Sequence, residues 1–509
     1  MKLRFQIGLP IALAFAALAT GHGATPTPKN LSWGDQGDGT YRNPVLFADY
    51  SDPDVIRVGD DFYLVASDFH FVGIQVLHSR DLVNWTIIGQ VFDRLRMDPK
   101  YDRMAGYAEG TWAPSLRYHE GRFYLYVCTP HDGLFCWTTK NPAGPWSEMI
   151  TVKRVDKWED PCPFWDDDGQ AYLVHSVHGA GPLILHKLSA DGTQLLDDGV
   201  EIYHGPVAEG PKFYKRHGWY YISLPEGGVE QGWQTVLRSR HIYGPYERRE
   251  VLPPGSPHQG GIVELDNGEA WFISFKSAGL FGRVTHLEPV TWGADDWPVF
   301  GDHGQPVTQW AKPTLPTTPI AQPQRSDTFG AATLSPQWQW NHNPVAAAWS
   351  LTARPGWLQL AGQPADSLLL AHNTLTQKIW GPAGCVTVKL EVSALSAGQR
   401  AGFTFMSGKI FNVIGVVAEG TKRTLYWDNG VGPELTQDTV YLRGLYQGAS
   451  ARFQYSLDGQ VFTDLGTEVT LKFGQWKGAR VGLYSYGPVG GRAEFGNFEY
   501  DLTPLPETR

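Results

Sequence analysis

The chain has 509 residues, with 52 Asp and Glu against 42 Lys and Arg and a formal net charge of −10 at pH 7. This acidic balance, without a basic run, argues against nucleic acid or an anionic membrane surface as a partner. Charged residues make up 18% of the chain, below the roughly 25% of an average soluble protein, whereas Gly (58), Trp (20) and Tyr (22) are abundant. The length predicts two domains, and the composition is typical of turn-rich β structure with aromatic-lined sites.

Residues 1–24 resemble a secretory signal peptide, with basic residues followed by an apolar run and then small residues. The apolar run, from Ile7 to Ala19, is too short to span a bilayer. We expect cleavage between Ala19 and Ala24. The sequence therefore predicts a soluble protein that is periplasmic or secreted.

One pattern recurs five times from residue 52 onward: a strand, a tight turn rich in Gly or Asp, and a second strand. The copies are DPDVIRVGDDFYLVAS from Asp52, WAPSLRYHEGRFYLYV from Trp112, DPCPFWDDDGQAYLVHS from Asp160, EGPKFYKRHGWYYISL from Glu209 and HQGGIVELDNGEAWFISF from His258. Their starts lie 60, 48, 49 and 49 residues apart. A nearly fixed period of this length is typical of a β-propeller.

The remainder of each repeat continues with a third strand, a turn and a fourth strand. Copy one continues as GIQVLHSRDLVNWTIIG and copy four as WQTVLRSRHIYGPYERREVL, and the apolar and polar residues alternate as half-buried strands require. Four strands in each of five repeats predict a five-bladed β-propeller, which we place at residues 31–312.

A proline-rich segment, PTLPTTPIAQPQ from Pro313 to Gln324, follows the last repeat. It predicts a semi-rigid linker at residues 313–325. Residues 326–503 keep strands and turns without the fifty-residue period, which favours a β-sandwich with jelly-roll topology. The predicted fold class is all-β. Because the linker is short, we expect the sandwich to pack against the propeller, with one loop bordering the active pocket.

Acidic residues begin three of the five copies: Asp52, Asp160 and Glu209. Equivalent strands of a propeller surround one axis, so these acids are expected to meet in one pocket. Glu209 stands one residue earlier in its copy than Asp52 does, and we expect a bulge at residues 209–211 to absorb the offset.

Two carboxyl groups in a sugar-sized pocket suffice for glycoside hydrolysis: one protonates the leaving oxygen and the other acts on water or on the anomeric carbon. A third carboxylate close to the acid raises the pKa of that acid by like-charge repulsion, so the acid keeps its proton near neutrality. The three acids therefore predict a glycosidase that needs no cofactor.

Three segments together resemble glycoside hydrolase family 43: NPVLFADYSDPDVIRVGDDFYLVAS, EDPCPFWDDDG and AEGPKFY. The resemblance runs from Asn43 to about Gly301, and the trailing sandwich is similar to the C-terminal module of the β-xylosidase branch. It implies a five-bladed propeller enzyme that acts on xylosides or arabinosides with inversion of configuration.

The resemblance also implies a role for each acid. Asp52 matches the general base, Glu209 the general acid, and Asp160 the residue that tunes and orients the acid. An arginine near Asp160 is implied as well, and Arg283 matches its position. The chain departs from the family at Asp54, where many relatives have Ser, and this extra carboxylate makes Asp54 a rival for the role of base.

Several other residues are candidates for sugar binding. Trp112 begins the second copy and could stack on a sugar face; Phe69 and Trp233 lie in loops of copies one and four. In a chain this rich in aromatic residues, core packing is the alternative for each of them. His258 could hold a water molecule or an axial ion such as calcium, or could bond to a neighbouring blade.

The four cysteines, Cys128, Cys136, Cys162 and Cys385, show no zinc-site spacing. Cys128 and Cys136 flank a turn, so a disulfide across a hairpin and a pair of buried free thiols both stay open.

The leading expectation is an exported, inverting β-xylosidase that releases xylose from the non-reducing end of xylo-oligosaccharides. One alternative is an α-L-arabinofuranosidase acting on arabinoxylan or arabinan side chains. An alternative from another class is a non-catalytic glycan-binding protein, which the presence of all three acids disfavours.

Overall fold

A computed structural model describes residues 31–428 and 430–502. In these ranges the helical elements are four 3₁₀ turns, at Pro99–Arg103, Gly279–Phe281, Ala346–Ala348 and Leu368–Leu370, and strands make up the remaining regular structure. The all-β prediction is confirmed. The predicted signal peptide lies outside the described residues, and within them no helix is long and apolar enough to cross a membrane.

A three-stranded sheet brings the two ends of the propeller region together. Its strands are β1 (Gly34–Asp35), β2 (Thr40–Arg42) and β23 (Gln309–Ala311). Residues 43–50 then run along the last blade, where Val45 N donates to the carbonyl of Thr285 at 2.8 Å and Tyr50 N donates to that of Arg283 at 3.0 Å. The start and the end of the propeller are thus fixed to each other.

Five antiparallel four-stranded sheets follow, each a meander whose strands pair in chain order. Blades one and two contain β3 (Ser51–Val58), β4 (Asp61–Ser67), β5 (Gln75–Ser79) and β6 (Thr86–Gln90), and then β7 (Trp112–His119), β8 (Arg122–Thr129), β9 (Gly133–Thr139) and β10 (Ile150–Lys153). Blades three and four contain β11 (Trp158–Trp165), β12 (Ala171–Val177), β13 (Leu183–Leu188) and β14 (Val200–Tyr203), and then β15 (Lys212–Arg216), β16 (Trp219–Glu226), β17 (Trp233–Ser239) and β18 (Glu247–Leu252). Blade five contains β19 (His258–Glu264), β20 (Ala270–Ser277), β21 (Arg283–Trp292) and β22 (Pro298–Phe300).

Tight turns explain why each repeat folds as a meander. Two residues join β7 to β8, Glu120 and Gly121, and both have positive φ (46° and 78°). The same holds for His217 and Gly218 between β15 and β16 (50° and 71°). Turns of this hand match the twist of the strands that they connect.

The blades close into a ring around one axis. Strand β3 packs against β7 and β19, β7 packs against β11, β11 against β15, and β16 against β19. The first strand of a blade is therefore its inner strand. The predicted five-bladed propeller is confirmed, and the starts of the repeats lie around its axis.

The C-terminal region is a sandwich of a seven-stranded and an eight-stranded antiparallel sheet. In chain order its strands are β24 (Gln339–Trp340), β25 (Trp349–Ser350), β26 (Leu358–Ala361), β27 (Leu375–Lys378), β28 (Ala383–Glu391), β29 (Arg400–Ser407), β30 (Ile410–Glu419), β31 (Lys422–Trp427), β32 (Gly430–Glu434), β33 (Thr439–Gln447), β34 (Ser450–Ser456), β35 (Thr463–Asp464), β36 (Val469–Thr470), β37 (Arg480–Tyr486) and β38 (Arg492–Asp501). Val388, Phe403, Leu483 and Phe495 are fully buried between the sheets. The predicted β-sandwich is confirmed.

The strand register decides between the two alternatives for the cysteines. In the pairing of β8 with β9, Cys128 lies opposite Leu134 and Cys136 lies opposite Tyr126, so the two thiols are not partners across the hairpin. Both are buried and free. The disulfide alternative is wrong, and the buried free thiols are confirmed.

A buried network of charged and polar side chains joins the sandwich to blade one. Lys378 Nζ donates to Asp68 at 2.9 Å and to Gln75 Oε1 at 2.8 Å, and Lys477 Nζ pairs with Asp49 at 3.0 Å. None of these four charged side chains is more than 3% exposed. Charges this deeply buried require partners, so the propeller and the sandwich depend on each other.

The segment between the two regions is bonded to blade one. Thr318 Oγ1 donates to Asp81 at 2.5 Å, and Ile87 N donates to Gln324 Oε1 at 2.6 Å. The linker therefore follows the surface of the propeller. The domain boundaries given above stay predictions.

Residues 31–325 expressed without the sandwich are expected to aggregate, or to unfold at a lower temperature than the full chain. The reason is that Asp49 and Asp68 lose their ammonium partners, and breaking a buried pair costs about 3–5 kcal/mol. Thermal denaturation with light scattering measures the effect. A soluble fragment with an unchanged Tm would show that the sandwich is an independent appendage.

Candidate active site

A backbone kink recurs at the start of the inner strand in every blade. The residues at the kink have positive φ: Asp52 (51°), Ala113 (25°), Asp160 (54°), Gly210 (55°) and Gln259 (54°). In blades one, two, three and five the pairing with the second strand shifts register at this point. Four of the five kink residues precede a proline, which lacks an N–H and is tolerated in a sheet at such bulges.

Glu209 lies one residue before the kink of blade four, whereas Asp52 and Asp160 lie at the kinks of their own blades. The positions equivalent to Glu209 hold Ser51, Trp112, Glu159 and His258. The one-residue offset noted in the sequence thus has a general cause: two successive positions at each kink are available for functional side chains. Because of the kink, both can be directed towards the same end of the axis.

Two donors hold the carboxylate of Asp52, which is only 4% exposed. Arg283 Nη1 donates to Oδ1 at 2.6 Å, and Ser67 Oγ donates to Oδ2 at 2.7 Å. Arg283 thus donates its hydrogen bond to Asp52, and its charge also acts on Asp160, the residue beside which the resemblance places it. Its Nε is buried and has no hydrogen-bond partner among the described residues. Asp52 is thus oriented through both of its oxygens.

Asp160 and Glu209 both resist ionisation. Burial, and then the negative charge of Asp52, raise the pKa of Asp160 to about 7. Burial, and then the charges of Asp160 and Asp52, raise the pKa of Glu209 to about 8. Gly210 N donates to Asp160 Oδ2 at 2.8 Å, which favours its charged form. Burial and mutual repulsion thus keep these carboxyl groups protonated to a higher pH than is usual for Asp and Glu.

Glu159 is a fourth acid in this region, and sequence reasoning did not single it out. It is 3% exposed, and its Oε1 accepts a hydrogen bond from Ala180 N at 2.9 Å. Burial and the charge of Asp160 raise its pKa to about 9. The turn that Glu159 holds also carries His178, whose ring packs edge-on against Trp112 with centroids 5.6 Å apart. Glu159 thereby supports one wall of the site.

Asp54, the rival for the role of base, has other partners. It is fully buried, and its Oδ2 accepts hydrogen bonds from Arg117 Nη1 at 2.6 Å and from Leu116 N at 2.9 Å. It lies beyond the kink, inside the ring of inner strands, where Lys212 Nζ is 4.0 Å away. This contact set gives Asp54 a structural role.

Three aromatic side chains pack together beside Asp52. Trp112 contacts Phe69 edge-on, with ring centroids 5.6 Å apart, and contacts Trp476 of the sandwich at 6.1 Å. Phe69 is 2% exposed, whereas Trp476 is 42% exposed and lies 5.6 Å from the guanidinium of Arg283. The expected loop from the sandwich is therefore the hairpin at residues 474–477.

Trp233 and His258 are both engaged by other residues. The indole Nε1 of Trp233 donates to Glu226 at 3.1 Å. Nδ1 of His258 lies 2.8 Å from the carbonyl of Ser256, so Nδ1 carries the proton there, and Nε2 is buried without a hydrogen-bond partner among the described residues. Burial lowers the pKa of His258, so the imidazole is neutral.

The donors around His258 do not favour calcium. Calcium takes six to eight oxygen ligands, and His258 offers one nitrogen. No group of three or more His, Cys, Asp or Glu side chains suited to a metal ion occurs within residues 31–428 and 430–502. The calcium expectation stays a prediction, and no chemical step is derived from it.

Sequence reasoning missed Ser67, Trp476 and Lys477. Lys477 Nζ donates to the carbonyl of Ser67 at 2.9 Å across 410 positions of the chain. Neither the repeat pattern nor any local motif connects residues so far apart, and only the packing of the sandwich on blade one brings them together.

Comparison with known proteins adds to this geometry. A family model described as glycosyl hydrolases family 43 matches residues 41–298, and one described as the beta xylosidase C-terminal Concanavalin A-like domain matches residues 326–501. A putative beta-xylosidase of Xylanibacter ruminicola is 49% identical over 463 residues, covering 88% of this chain and 87% of the relative. A non-reducing end alpha-L-arabinofuranosidase of Bacteroides ovatus is 37% identical over 350 residues, covering 64% of this chain and 65% of the relative.

Solved structures agree on the architecture. The crystal structure of xylan beta-1,4-xylosidase from Bacillus halodurans superposes with a TM-score of 0.81 at 26% identity, covering 90% of this chain and 99% of that one. The two-domain arrangement is therefore shared over nearly the whole length of both proteins.

Replacing Asp54 distinguishes a structural role of this residue from a role as the catalytic base. Asp54→Asn is expected to lower the free energy of unfolding by about 3–5 kcal/mol, because Arg117 loses its buried partner. The control is Asp266→Asn: the side chain of Asp266 is 87% exposed in its pair with Arg57, and its loss should change stability by at most about 1 kcal/mol. Chemical denaturation measures both. If Asp54→Asn abolished turnover at unchanged stability, Asp54 would replace Asp52 as the base.

Proposed function

The chain belongs to glycosyl hydrolase family 43, and we propose that it releases xylose from the non-reducing end of xylo-oligosaccharides with inversion of configuration. The observation that carries this proposal is the geometry of one site: Arg283 and Ser67 hold both oxygens of the Asp52 carboxylate, while burial and the charges of Asp160 and Asp52 raise the pKa of Glu209. A general acid must be protonated when the substrate binds.

Glu209 acts as the general acid in this proposal. Its pKa of about 8 leaves it mostly protonated at neutral pH, so it can donate a proton to the oxygen of the leaving group. Once Asp160 has ionised, its charge adds to the repulsion that keeps Glu209 protonated. Asp160 thereby tunes the acid without touching the reacting atoms.

Asp52 acts as the general base and removes a proton from the attacking water. The bonds from Arg283 and Ser67 fix the orientation of its carboxylate, which aligns the base for attack on the anomeric carbon. Direct displacement by water inverts the configuration and forms no covalent sugar intermediate. The chemistry needs only these side chains and water.

The hairpin at residues 474–477 supports exo action. It extends from the sandwich to Trp112 and Arg283, so Trp476 borders the site that Asp52 occupies. A tryptophan face at this place can stack on a sugar ring, and the hairpin limits how far a polymer can extend on that side. The substrate is therefore an oligosaccharide bound by its end.

The α-L-arabinofuranosidase alternative is supported by the relative from Bacteroides ovatus, which carries that activity in its name. The non-catalytic alternative is disfavoured because all three acids are present and share one charged site. We also propose that the protein is periplasmic or secreted, on the basis of the signal-like residues 1–24.

Residues 25–509, assayed on aryl β-xyloside, aryl α-L-arabinofuranoside and xylo-oligosaccharides, test the proposal. Xylose is expected as the main product, and proton NMR of the first turnovers should show the α-anomer, the inverted product of a β-xyloside. Dominant release of arabinose would favour the arabinofuranosidase. Retention of configuration would overturn the assignment of Asp52 as the base, and binding without release would establish a glycan-binding protein.

Asp160→Asn tests the tuning of the acid. The substitution keeps the shape and removes a charge that raises the pKa of Glu209, so Glu209 ionises at lower pH. The basic limb of the kcat/KM profile is then expected to move to lower pH. Turnover at neutrality is expected to fall about tenfold for each pH unit by which the pKa of Glu209 drops below 7, and by less than the 10²–10⁴-fold that loss of the general acid itself would cost.

Glu209→Gln, assayed on an aryl xyloside with a good leaving group, is the control for this experiment. Such a substrate needs little protonation, so residual activity is measurable and should lack the basic limb altogether. An Asp160→Asn enzyme with an unmoved basic limb would leave Asp160 as a structural residue of its kink.

A further inference from the structure

Both hydrogen-bond donors to Asp52 are connected to one buried ion pair at the boundary with the sandwich. The pair consists of Lys477, three residues before the start of β37, and Asp49, two residues before the start of blade one. The Lys477 side chain is 0% exposed and that of Asp49 is 2% exposed. With so little water to screen it, the pair fixes its two chain segments firmly against each other.

The first connection passes through Ser67. Lys477 Nζ donates to the Ser67 carbonyl at 2.9 Å, and Ser67 Oγ donates to Asp52 Oδ2 at 2.7 Å. Ser67 Oγ also accepts a hydrogen bond from Ala113 N at 2.6 Å. The hydroxyl hydrogen is thereby directed at the carboxylate, while the ammonium group fixes the backbone that carries it.

The second connection passes through Arg283. Its backbone N–H donates to Asp49 Oδ1 at 3.0 Å, and its Nη1 donates to Asp52 Oδ1 at 2.6 Å. The other oxygen of Asp49 accepts from Lys477 Nζ at 3.0 Å and from Gly478 N at 3.1 Å. One ammonium group therefore supports the two residues that hold the two oxygens of Asp52.

We propose that Lys477 is a positioning residue for the catalytic base, so that the sandwich completes the active site of the propeller. Lys477 does not touch the reacting atoms; it acts through Ser67 and through the pair of Asp49 with Arg283. This inference rests on the function proposed above and names a residue on which that function depends.

The backbone geometry of the hairpin at residues 474–477 determines where the Lys477 side chain lies. Gln475 and Trp476 have φ values of 53° and 63°, a left-handed conformation that residues with a Cβ adopt only at some expense of free energy. Gly474 and Lys477 close the hairpin by exchanging backbone hydrogen bonds of 3.0 Å in both directions. Trp476 is thereby placed at the site while Lys477 points beneath it.

The chain offers a matched control in Lys378. This lysine also belongs to the sandwich, its side chain is 3% exposed, and it pairs with Asp68 of blade one. Its other partners are Gln75 and Gln339, and its hydrogen bonds do not reach Ser67, Asp49 or Asp52. Lys378 and Lys477 therefore share burial and interface but differ in their connection to the base.

The test compares Lys477→Met with Lys378→Met in the full chain, by steady-state kinetics on the substrate that the wild type hydrolyses. Both variants should have a lower Tm. Lys477→Met is expected to lower kcat about 10–100-fold with little change in KM, because a small displacement of a catalytic group affects turnover more than ground-state binding. Lys378→Met should keep kcat within about twofold. Equal loss of kcat in both variants, or an unchanged kcat in Lys477→Met, would overturn the proposal.

A double-mutant cycle tests the route through Ser67. If Lys477 acts partly through Ser67, the losses in kcat of Lys477→Met and Ser67→Ala are expected to be less than additive in the double variant. Full additivity of the two losses would contradict the route. Should Lys477→Met fail to fold, Lys477→Arg replaces it: the charge is kept, but a planar guanidinium cannot reproduce the position of Nζ, and kcat should still fall.

Failure of this proposal is distinguishable from failure of the proposed function. Asp52→Asn, assayed alongside, should abolish turnover if Asp52 is the base, whatever Lys477 does. If Asp52→Asn stayed active, the proposed function would fail in its mechanism. If Asp52→Asn were inactive and Lys477→Met had wild-type kcat, only the positioning role would fail.

Discussion

The left-handed residue at the start of each inner strand is the constraint on which the site depends. A regular strand would direct successive side chains to opposite faces, and two adjacent acids could then not serve one pocket. At the kinks of blades one, two, three and five the register shifts, and at all five the left-handed residue makes the kink residue and its predecessor available together. Aspartate tolerates this conformation better than most residues, which suits Asp52 and Asp160, and glycine takes the position beside Glu209.

A surplus of negative charge follows from that geometry. The charge of Asp52 raises the pKa of Asp160 and Glu209, and the charge of Asp160 raises that of Glu209 and Glu159, while Arg283 and Lys212 supply the opposing charge that acts on Asp160. With more carboxyl groups than cations in a poorly hydrated region, some carboxyls hold their protons at neutral pH. The raised pKa values of Asp160, Glu209 and Glu159 express this imbalance.

The propeller and its three acids could be predicted from the sequence because both follow from a local pattern that is repeated along the chain. A strand, a turn and a strand recur at a nearly fixed period, and equivalent positions of a ring must converge. The partners of the acids could not be found in that way. Arg283 acts on Asp160 through its charge, but its hydrogen bond to Asp52 depends on how the segment around Asp49 crosses blade five. Whether Cys128 and Cys136 lie opposite each other likewise depends on strand register, which composition and spacing leave undetermined.

The contacts of the sandwich with the active site join residues that are still farther apart in the chain. Ser67 and Lys477 lie 410 positions apart, and their contact exists only when the propeller and the sandwich dock in one orientation. Hydrophobic surfaces alone would allow some sliding of such an interface, whereas buried ion pairs have a narrow optimum of geometry. Asp49 and Asp68, paired with Lys477 and Lys378, therefore set the docking orientation as well as its strength. Of these two pairs, Asp49 with Lys477 also supports the residues that hold Asp52, so this pair links domain docking to the alignment of the base.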